Sequence, residues 1–343
     1  MIGKITNIFK VKDLRKKIFF TFSMLIVFRL GGQVPIPGLG HVRGSGIFES
    51  SGLSDGILGL YDTFVGNFLS QASIFSLGIM PYISASIIIQ LMTAIVPYFQ
   101  RLKKEGAEGN KKIIQLTRYG TVLIAMIQAI GVASLFYTQQ QGVIDSGMGW
   151  QIFFVVTIIT LVTGTIFVMW LGEQITDYGI GNGISLIITV GILAGAPRVF
   201  GDMFGTMIVN TNEAIRGIFL IILLIGITMF VVSITSALRK IPVQFAKRVV
   251  GRKVYGGQAS HIPLKILTAG VMPIIFAQAL MFLPGLLGQL TGWVWLTNGF
   301  QPSAWAYTIL FAILIVIFTY FYTAIAFNPV DVADNMKKHG GFI

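Results

Sequence analysis

The sequence contains no cysteine, which excludes disulfide bonds, thioether attachment of haem and metal sites built from thiolates. Charged residues are also scarce, at 11% of the chain, whereas a soluble domain carries roughly a quarter. Acids are the scarcer sign, because only 13 aspartates and glutamates accompany 25 lysines and arginines. A chain that is 54% hydrophobic with so few charges is not an ordinary soluble domain.

The few acids and histidines lie in loops or near the ends of hydrophobic runs, never in the middle of one. Proton-coupled and ion-coupled pumps normally need carboxylates inside the membrane. His41, His261 and His339 are equally peripheral, so no helical metal cluster or acid–base pair is apparent. A Walker loop is also absent. We therefore expect no catalytic residues, no metal site and no cofactor.

Long hydrophobic runs are abundant. Each has about 20 residues, which is the length that crosses a hydrocarbon core of roughly 30 Å. The runs do not alternate apolar and polar residues as the strands of a membrane barrel do. The sequence therefore predicts an all-α polytopic membrane protein. The predicted spans are 18–38, 74–97, 119–137, 150–171, 178–193, 214–238, 264–287 and 305–327.

Basic residues are concentrated in alternate segments: before the first span, after the second and sixth spans, and in the tail. The positive-inside rule places these segments, and hence the N-terminus, in the cytoplasm. The loop with Glu173 and Asp177 is the one cytoplasmic connection without a cation. The first span is too long for a signal peptide and no cleavage site follows it, so we expect it to be retained.

The cytoplasmic loop 238–263, "LRKIPVQFAKRVVGRKVYGGQASHIP", mixes cations with apolar residues. Alternation in "RKVYGGQ" and the Gly256–Gly257 pair predict a β-hairpin. One interpretation of the charge is topology plus attraction to anionic lipid, worth about 1 kcal/mol per cation. The other is a docking surface for a large acidic partner, such as ribosomal RNA or a motor protein.

The external segment 38–74 contains a half-hydrophobic stretch, "LYDTFVGNFLSQASIF", that is too short and polar to cross a membrane. It is either an exposed loop or a small helix folded back between the spans, facing protein or a water-filled cavity. Arg29 is the only cation well inside a predicted span, since Arg216 and Lys265 lie among the first residues of theirs. Because Arg29 lies one turn before the end of its helix, we expect its side chain to snorkel to the membrane boundary.

Three predicted helices place isoleucines beside polar side chains: "GIMPYISASIIIQ" (78–90), "YGIGNGISLIITVGI" (178–192) and "AGVMPIIFAQALMFLP" (269–284). In the first two, isoleucines recur every fourth residue and share one helical face. Ordinary helix packing through small residues and amide hydrogen bonds explains this pattern. A water-filled passage narrowed by an apolar collar also explains it, because such a collar blocks ions by dewetting.

Four stretches resemble the bacterial SecY family, the large subunit of the Sec protein-conducting channel. They are "SIFSLGIMPYISASIIIQL", "WLGEQITDYGIGNGIS", "HIPLKI…AGVMPIIFA" and "NPVDVADNMKKHGGFI". The resemblance is nearly collinear from the basic N-terminus to residue 343. It implies a ten-helix bundle of two inverted five-helix halves around an hourglass pore. Residues 1–195 would form the first half, with a plug at 61–74. Residues 196–343 would form part of the second half, and the chain would end before the last two family helices.

The resemblance also implies site residues. The pore ring would comprise Ile79, Ile83, Ile184, Ile188 and Ile275, and its sixth member would lie in the last family helix. The plug would include Tyr61, Phe64, Asn67, Phe68, Ser70 and Ser73. The lateral gate, through which signal sequences reach lipid, would include Ser84, Ile87, Gln90, Gln128 and Gln278. Contacts to the ribosome or SecA would come from Lys240, Arg252 and Lys253. Lysine stands at two positions where the family often has arginine, and lysine makes no bidentate phosphate contacts.

The function implied is a gated, passive conduit for unfolded preproteins across, and laterally into, the cytoplasmic membrane of a bacterium. Its expected partners are the SecE and SecG subunits, the SecA ATPase, the ribosome, signal sequences and anionic lipids. Two other functions stay open. Glycine-broken helices at mid-membrane also suit a secondary transporter, and the chain could be a non-conducting assembly scaffold.

Overall fold

The computed structural model describes residues 11–39, 57–139, 149–209, 211–245, 248–250, 253–255, 260–265, 267, 269–291, 304–326, 329–338 and 341–342. The chain packs into two compact units. The first consists of 1–199 and 276–312, and the second of 200–275 and 313–343. The halves 1–195 and 196–343, inferred from the resemblance, stay a prediction.

Helices dominate the described residues. Those of the first unit are α1 (Lys12–Gly31), α2 (Ile57–Val65), α3 (Met80–Ile95), α4 (Pro97–Lys104), α5 (Ala107–Gln139), α6 (Trp150–Tyr178) and most of α7 (Gly183–Val209). The second unit contains α8 (Thr211–Ser236) and α11 (Pro329–Lys338). Two further helices, α9 (Met272–Thr291) and α10 (Trp305–Ala326), each contribute residues to both units.

The apolar length of these helices confirms the polytopic all-α class. Among the described residues, five helices are long and apolar enough to cross a membrane: α5, α6, α7, α8 and α10. The pair α3 and α4 passes the same test jointly, although the two helices are bent by 95° at their junction. In α9 the apolar helical stretch is the shorter Met272–Met281. The count of eight spans therefore stays a prediction.

The second predicted span, 74–97, begins and ends differently in the structure. Gly78 has a φ of +52°, which stops the preceding turns, and α3 starts at Met80 with Pro81 in its first turn. The helix ends at Ile95 because Val96 precedes Pro97 and adopts an extended conformation. The chain then turns into α4, which carries the basic residues of the following loop.

The fifth predicted span, 178–193, is displaced along the chain. Residues 179–182 leave the helix, with Gly181 at a φ of +71°, and α7 begins at Gly183. Asn182 caps the new helix, since its side-chain Oδ1 accepts a hydrogen bond from the backbone N–H of Ser185. The helix then continues through Pro197 to Val209, well past the predicted end.

In the first unit α3 packs against α5, α5 packs against α6, and α1 and α3 both contact α6. Small residues allow the close approach of α3 and α5, where a Cβ added at Gly120 would lie 3.4 Å from the Cβ of Ala85. The core of this unit contains large aromatic side chains from the segment between α2 and α3.

The second unit contains the β-structure of the basic loop. Strand β1 (Leu238–Phe245) pairs antiparallel with β4 (Ser260–Lys265), placing Leu238 opposite Lys265. Strand β2 (Arg248–Val250) pairs antiparallel with β3 (Lys253–Tyr255), and β1 also pairs with β5 (Gly341–Phe342). The loop does contain a β-hairpin, the β2–β3 pair, but both of its strands precede the Gly256–Gly257 pair on which the prediction rested. The glycine pair 256–257 lies outside the described residues.

Candidate functional site

The short helix α2 ends in a Schellman motif. The backbone N–H of Gly66 donates to the carbonyl of Thr63 at 3.3 Å, and that of Asn67 donates to the carbonyl of Asp62 at 2.8 Å. Gly66 occupies the position after the helix, where its φ of +91° suits glycine. The chain therefore reverses sharply at Gly66 and Asn67, which places the second half of the 61–74 segment beside the first.

Asp62 fixes this reversal from its side chain. Its Oδ1 accepts hydrogen bonds from the backbone N–H groups of Leu69 at 2.8 Å and Ser70 at 3.2 Å. The residue is 8% exposed, so this carboxyl group is buried in the protein although it lies between predicted spans. Because burial disfavours the ionised form, the pKa of Asp62 is raised from its usual value.

Three further predicted plug residues, Tyr61, Ser70 and Ser73, form hydrogen bonds within residues 61–77. The Tyr61 hydroxyl, fully buried, donates to the carbonyl of Leu77 at 2.9 Å, and the pKa of Tyr61 is raised by burial. The Ser70 hydroxyl donates to the carbonyl of Asn67, and the Ser73 hydroxyl accepts from the N–H of Phe75. Of the two readings of this stretch, the structure shows the short helix, packed into the first unit.

An aromatic cluster holds this segment against α1. The rings of Phe68 and Phe28 meet edge-on with centroids 5.3 Å apart, and Phe75 stacks on Phe28 at 6.1 Å. Phe75 also stacks on Phe167 of α6 at 5.9 Å. Phe68 and Phe28 are buried. Such ring pairs add roughly 0.5–1.5 kcal/mol each beyond their area burial.

Glycines of the surrounding helices allow the 61–74 segment to pack closely against their backbones. A Cβ added at Gly32 would overlap the ring of Phe68, and one at Gly164 would overlap the carbonyl oxygen of Ile74. On α7, a Cβ at Gly191 would lie 3.1 Å from the carbonyl oxygen of Phe64. The 61–74 segment therefore packs directly against the backbones of α1, α6 and α7.

Arg29 of α1 contacts this segment. Its Nη1 donates a hydrogen bond to the carbonyl oxygen of Gly66 at 3.0 Å. Its guanidinium carbon also lies 5.2 Å from the centroid of the Phe68 ring, which is a cation–π distance. The half-buried Arg29 side chain is therefore directed at acceptors in the protein, while its snorkelling to the membrane boundary stays a prediction.

The isoleucines of the predicted pore ring are mostly buried. Ile79, Ile83 and Ile188 are 4%, 5% and 8% exposed, and so do not face outward. Ile184 is half-buried and its Cγ1 lies 3.2 Å from a Cβ added at Gly172 of α6. Ile275, also half-buried, belongs to the second unit. Their convergence on one axis stays a prediction.

The predicted gate residues on α3 make local hydrogen bonds, and Ile87 beside them is buried. The Ser84 hydroxyl donates to the carbonyl of Met80, and Gln90 Nε2 donates to the Ser86 hydroxyl. Both hydrogen bonds lie within α3 and do not connect it to another helix. The lateral-gate assignment therefore stays a prediction.

The other two predicted gate residues are buried glutamines. The Tyr307 hydroxyl of α10 donates to Gln278 Oε1 at 3.5 Å. Within the described part of the chain, Gln128 Oε1 and Gln278 Nε2 have no hydrogen-bond partner. Burying an amide group without a hydrogen-bond partner costs free energy. At these two atoms no described residue offsets that cost.

The sequence analysis missed one ion pair. Arg118 of α5 donates two hydrogen bonds to the carboxylate of Glu173 on α6, at 2.9 and 2.8 Å. Each residue lies near the cytoplasmic end of a neighbouring predicted span, and this was the available signal. Glu173 therefore pairs with a cation at the end of the loop between the second and third predicted spans.

The predicted partner-binding cations are less fully described. Lys240 lies exposed on β1, and Lys253 opens β3. Arg252 lies outside the described residues. In the part of the chain that the structure describes, no three histidine, aspartate or glutamate side chains are placed to hold a metal ion.

Comparisons with known proteins agree with this architecture. The sequence profile of the SecY family matches residues 73–343. Protein translocase subunit SecY of Streptomyces coelicolor is 42% identical over 362 residues, covering 100% of this chain and 81% of that protein. The subunit of Escherichia coli K12 is 43% identical, covering 96% and 76%. That of Buchnera aphidicola is also 43% identical, covering 96% and 94%.

Solved structures give the same fold at lower identity. A protein-conducting channel matches 95% of this chain and 77% of its own, with a TM-score of 0.64 at 19% identity. Sec61 in a canine ribosome–channel complex matches 93% and 75%, with a TM-score of 0.59. The profile match and the identity of the relatives, over nearly the whole length, lead to one conclusion: the chain belongs to the SecY family.

Proposed function

We propose that this chain is the channel-forming subunit of a protein translocase, a gated and passive conduit for unfolded preproteins. The observation that supports this most strongly is the full-length similarity to relatives named protein translocase subunit SecY. The buried 61–74 segment adds to it, because a helix too short to cross a membrane is packed among helices that can. In this proposal the segment is the plug that closes the channel at rest.

The collar of isoleucines is the second part of the proposal. Aliphatic side chains form no fixed hydrogen bonds or ion pairs with a passing polypeptide, so they seal the channel without selecting a sequence. A narrow apolar constriction also excludes water and ions at rest. The low exposure of Ile79, Ile83 and Ile188 is compatible with this role, since an isoleucine directed at lipid would be open to the surroundings.

The route into the membrane and the source of energy complete the proposal. A signal sequence would leave through the lateral gate of Ser84, Ile87, Gln90, Gln128 and Gln278, because lipid stabilises an apolar helix more than a wet pore does. No nucleotide-binding loop occurs in the sequence. Movement would therefore be driven from outside by the SecA ATPase or a translating ribosome, in a complex that also contains SecE and SecG.

The basic β-structure of the second unit would receive the driving partner on the cytoplasmic side. Antiparallel pairing of β1 with β4 gives the strand that carries Lys240 a defined geometry. Lys253 begins β3, and Arg252 immediately precedes it. Cations presented this way attract RNA phosphate or an acidic protein surface, and anionic lipid would favour the same orientation in the bacterial inner membrane.

Translocation in proteoliposomes tests this function. The chain is reconstituted with SecE and SecG, and SecA, ATP and a radiolabelled preprotein are added. We expect preprotein that is protected from protease only when ATP and the chain are both present. Concentrative uptake of a small solute, without preprotein protection, would instead indicate a secondary transporter. Neither activity would indicate an assembly scaffold.

A further inference from the structure

We infer that Arg29 is a positioning residue that holds the plug in its closed position. It makes two different contacts with the segment: a hydrogen bond from Nη1 to the Gly66 carbonyl, and a cation–π contact with the Phe68 ring. The inference rests on the proposed function, which identifies the 61–74 segment as the plug. The contact between Arg29 and this segment is observed whatever the function is. Arg29 would act as a latch between α1 and a segment 37 residues away.

The acceptor is placed where a cation is most favourable. Gly66 follows the last residue of α2, so its carbonyl lies at the negative end of the helix dipole. The Schellman motif uses the N–H groups of Gly66 and Asn67 to satisfy the carbonyls of Thr63 and Asp62. The Gly66 carbonyl stays available, and Arg29 binds it.

Arginine suits this position better than lysine. The guanidinium group is planar, so it can lie over an aromatic ring while its N–H groups donate at the edge of the plane. Here the ring and the carbonyl are adjacent parts of one turn, since Phe68 follows Gly66 by two residues. Lysine would keep the charge but could not reproduce both contacts at once.

The place of Arg29 in the first predicted span also indicates a function, because a cation there is costly. Charged residues within membrane helices are rare and normally mark a working site. Other contacts of the plug are apolar, such as the ring cluster, or are hydrogen bonds between backbones, such as that from the Ile36 N–H to the Ala72 carbonyl. Arg29 supplies the charged, directional contact, which an arriving polypeptide can replace without disrupting the helical packing.

Thiol labelling measures plug release directly, because the chain has no native cysteine. Val65→Cys places a thiol at the end of α2, where the native side chain is 3% exposed. Val132→Cys places a matched thiol on α5, where the native side chain is 1% exposed. Labelling with a water-soluble maleimide is followed in membrane vesicles that contain the chain, with native Arg29, Arg29→Met or Arg29→Lys.

Arg29→Met should raise the labelling rate of Val65→Cys about tenfold, which corresponds to about 1.4 kcal/mol, and leave Val132→Cys unchanged. Arg29→Lys should give an intermediate rate. Arg15→Gln, which removes an exposed arginine from the same helix, should change neither rate. An unchanged labelling rate at Val65→Cys would overturn the inference, because Arg29 would then not hold the segment. An equal rise at Val132→Cys would also overturn it, because the substitution would then loosen the whole protein.

Failure of this inference and failure of the proposed function are distinguishable. Labelling requires no preprotein, SecA or ATP, so it reports on the latch whether or not the chain translocates. Faster labelling without translocation would support the latch and reject the conduit. Translocation with an unchanged labelling rate would support the conduit and reject the latch. If Arg29→Met fails to accumulate, Arg29→Lys tests the same point, because lysine keeps the charge but cannot make both contacts at once.

Discussion

Replacing Gly164 with alanine perturbs the place where α6 approaches the 61–74 segment most closely. A Cβ at this position would overlap the carbonyl oxygen of Ile74, and would lie 3.0 Å from its carbonyl carbon and 3.2 Å from the Phe75 ring. The nearest atoms belong to a backbone rather than to the end of a flexible side chain. The conflict can therefore be relieved only by moving the segment or the helix.

The expected magnitude follows from two opposing effects. Alanine in place of glycine within a helix is favourable by about 1 kcal/mol. Overpacking a tight interior site costs typically about 1–3 kcal/mol. Gly120→Ala on α5 is a matched control, because its added Cβ would meet only the Ala85 Cβ at 3.4 Å, an ordinary contact. Subtracting the two variants removes the helix-propensity effect and leaves the cost of the overlap.

The assay is unfolding in mixed detergent micelles, with the free energy of unfolding measured by tryptophan fluorescence. Gly164→Ala should be less stable than Gly120→Ala by about 1–3 kcal/mol. Equal stabilities, or a more stable Gly164→Ala, would refute the reasoning, because α6 would then not contact the Ile74 carbonyl closely enough to exclude a methyl group.

Three further predictions concern the collar, the basic loop and the buried acid. Replacing Ile83 and Ile188 with glycine should raise resting ion conductance in planar bilayers and relax signal-sequence discrimination; unchanged conductance of a folded variant would exclude the collar. Reversing the charge of Arg252 and Lys253 should weaken ribosome or SecA binding, and undiminished binding at physiological salt would limit these residues to topology. Burial raises the pKa of Asp62, so the folded segment binds that proton more tightly than the unfolded segment does. The packing of the segment should therefore weaken as the pH rises from the usual aspartate pKa of 3.8 through the raised pKa of Asp62. At higher pH the packing should not change further. Asp62→Asn should abolish this dependence, measured as Val65→Cys labelling relative to Val132→Cys; a persistent slope would assign it to another group.

Local signals in the sequence predicted the helices well but their ends less well. Hydropathy averages over many residues, so it located the long helices, whereas single caps and turns fix the boundaries. The fifth span illustrates this, because the predicted span 178–193 runs through "GIGNG" without a break. In the structure Asn182 caps a new helix after a break at Gly181, and Pro197 does not end it.

The candidate site was only partly predictable. The half-hydrophobic stretch between two spans was sufficient to single out part of the segment 38–74, because neither a span nor a typical loop has that composition, and the bounds 61–74 came from the family resemblance. The partners of Arg29 and Asp62 were not predictable. Each charge was assigned to the water or the membrane boundary, which is the default when no acceptor is visible nearby in the sequence. Both instead contact the turn that follows α2.

The sequence by itself determined the polytopic helical class of the protein and its kinship with the SecY family. Apolar content, charge asymmetry and collinear motifs are properties of the linear chain, so no structure was needed to read them. Only the tertiary structure decided that Arg29 binds Gly66, that Asp62 is buried and that Arg118 pairs with Glu173. Arg29 and Gly66 are 37 positions apart in the sequence, and Arg118 and Glu173 are 55 positions apart. Helix packing brings these donors to their acceptors. The same packing removes the Asp62 side chain from water.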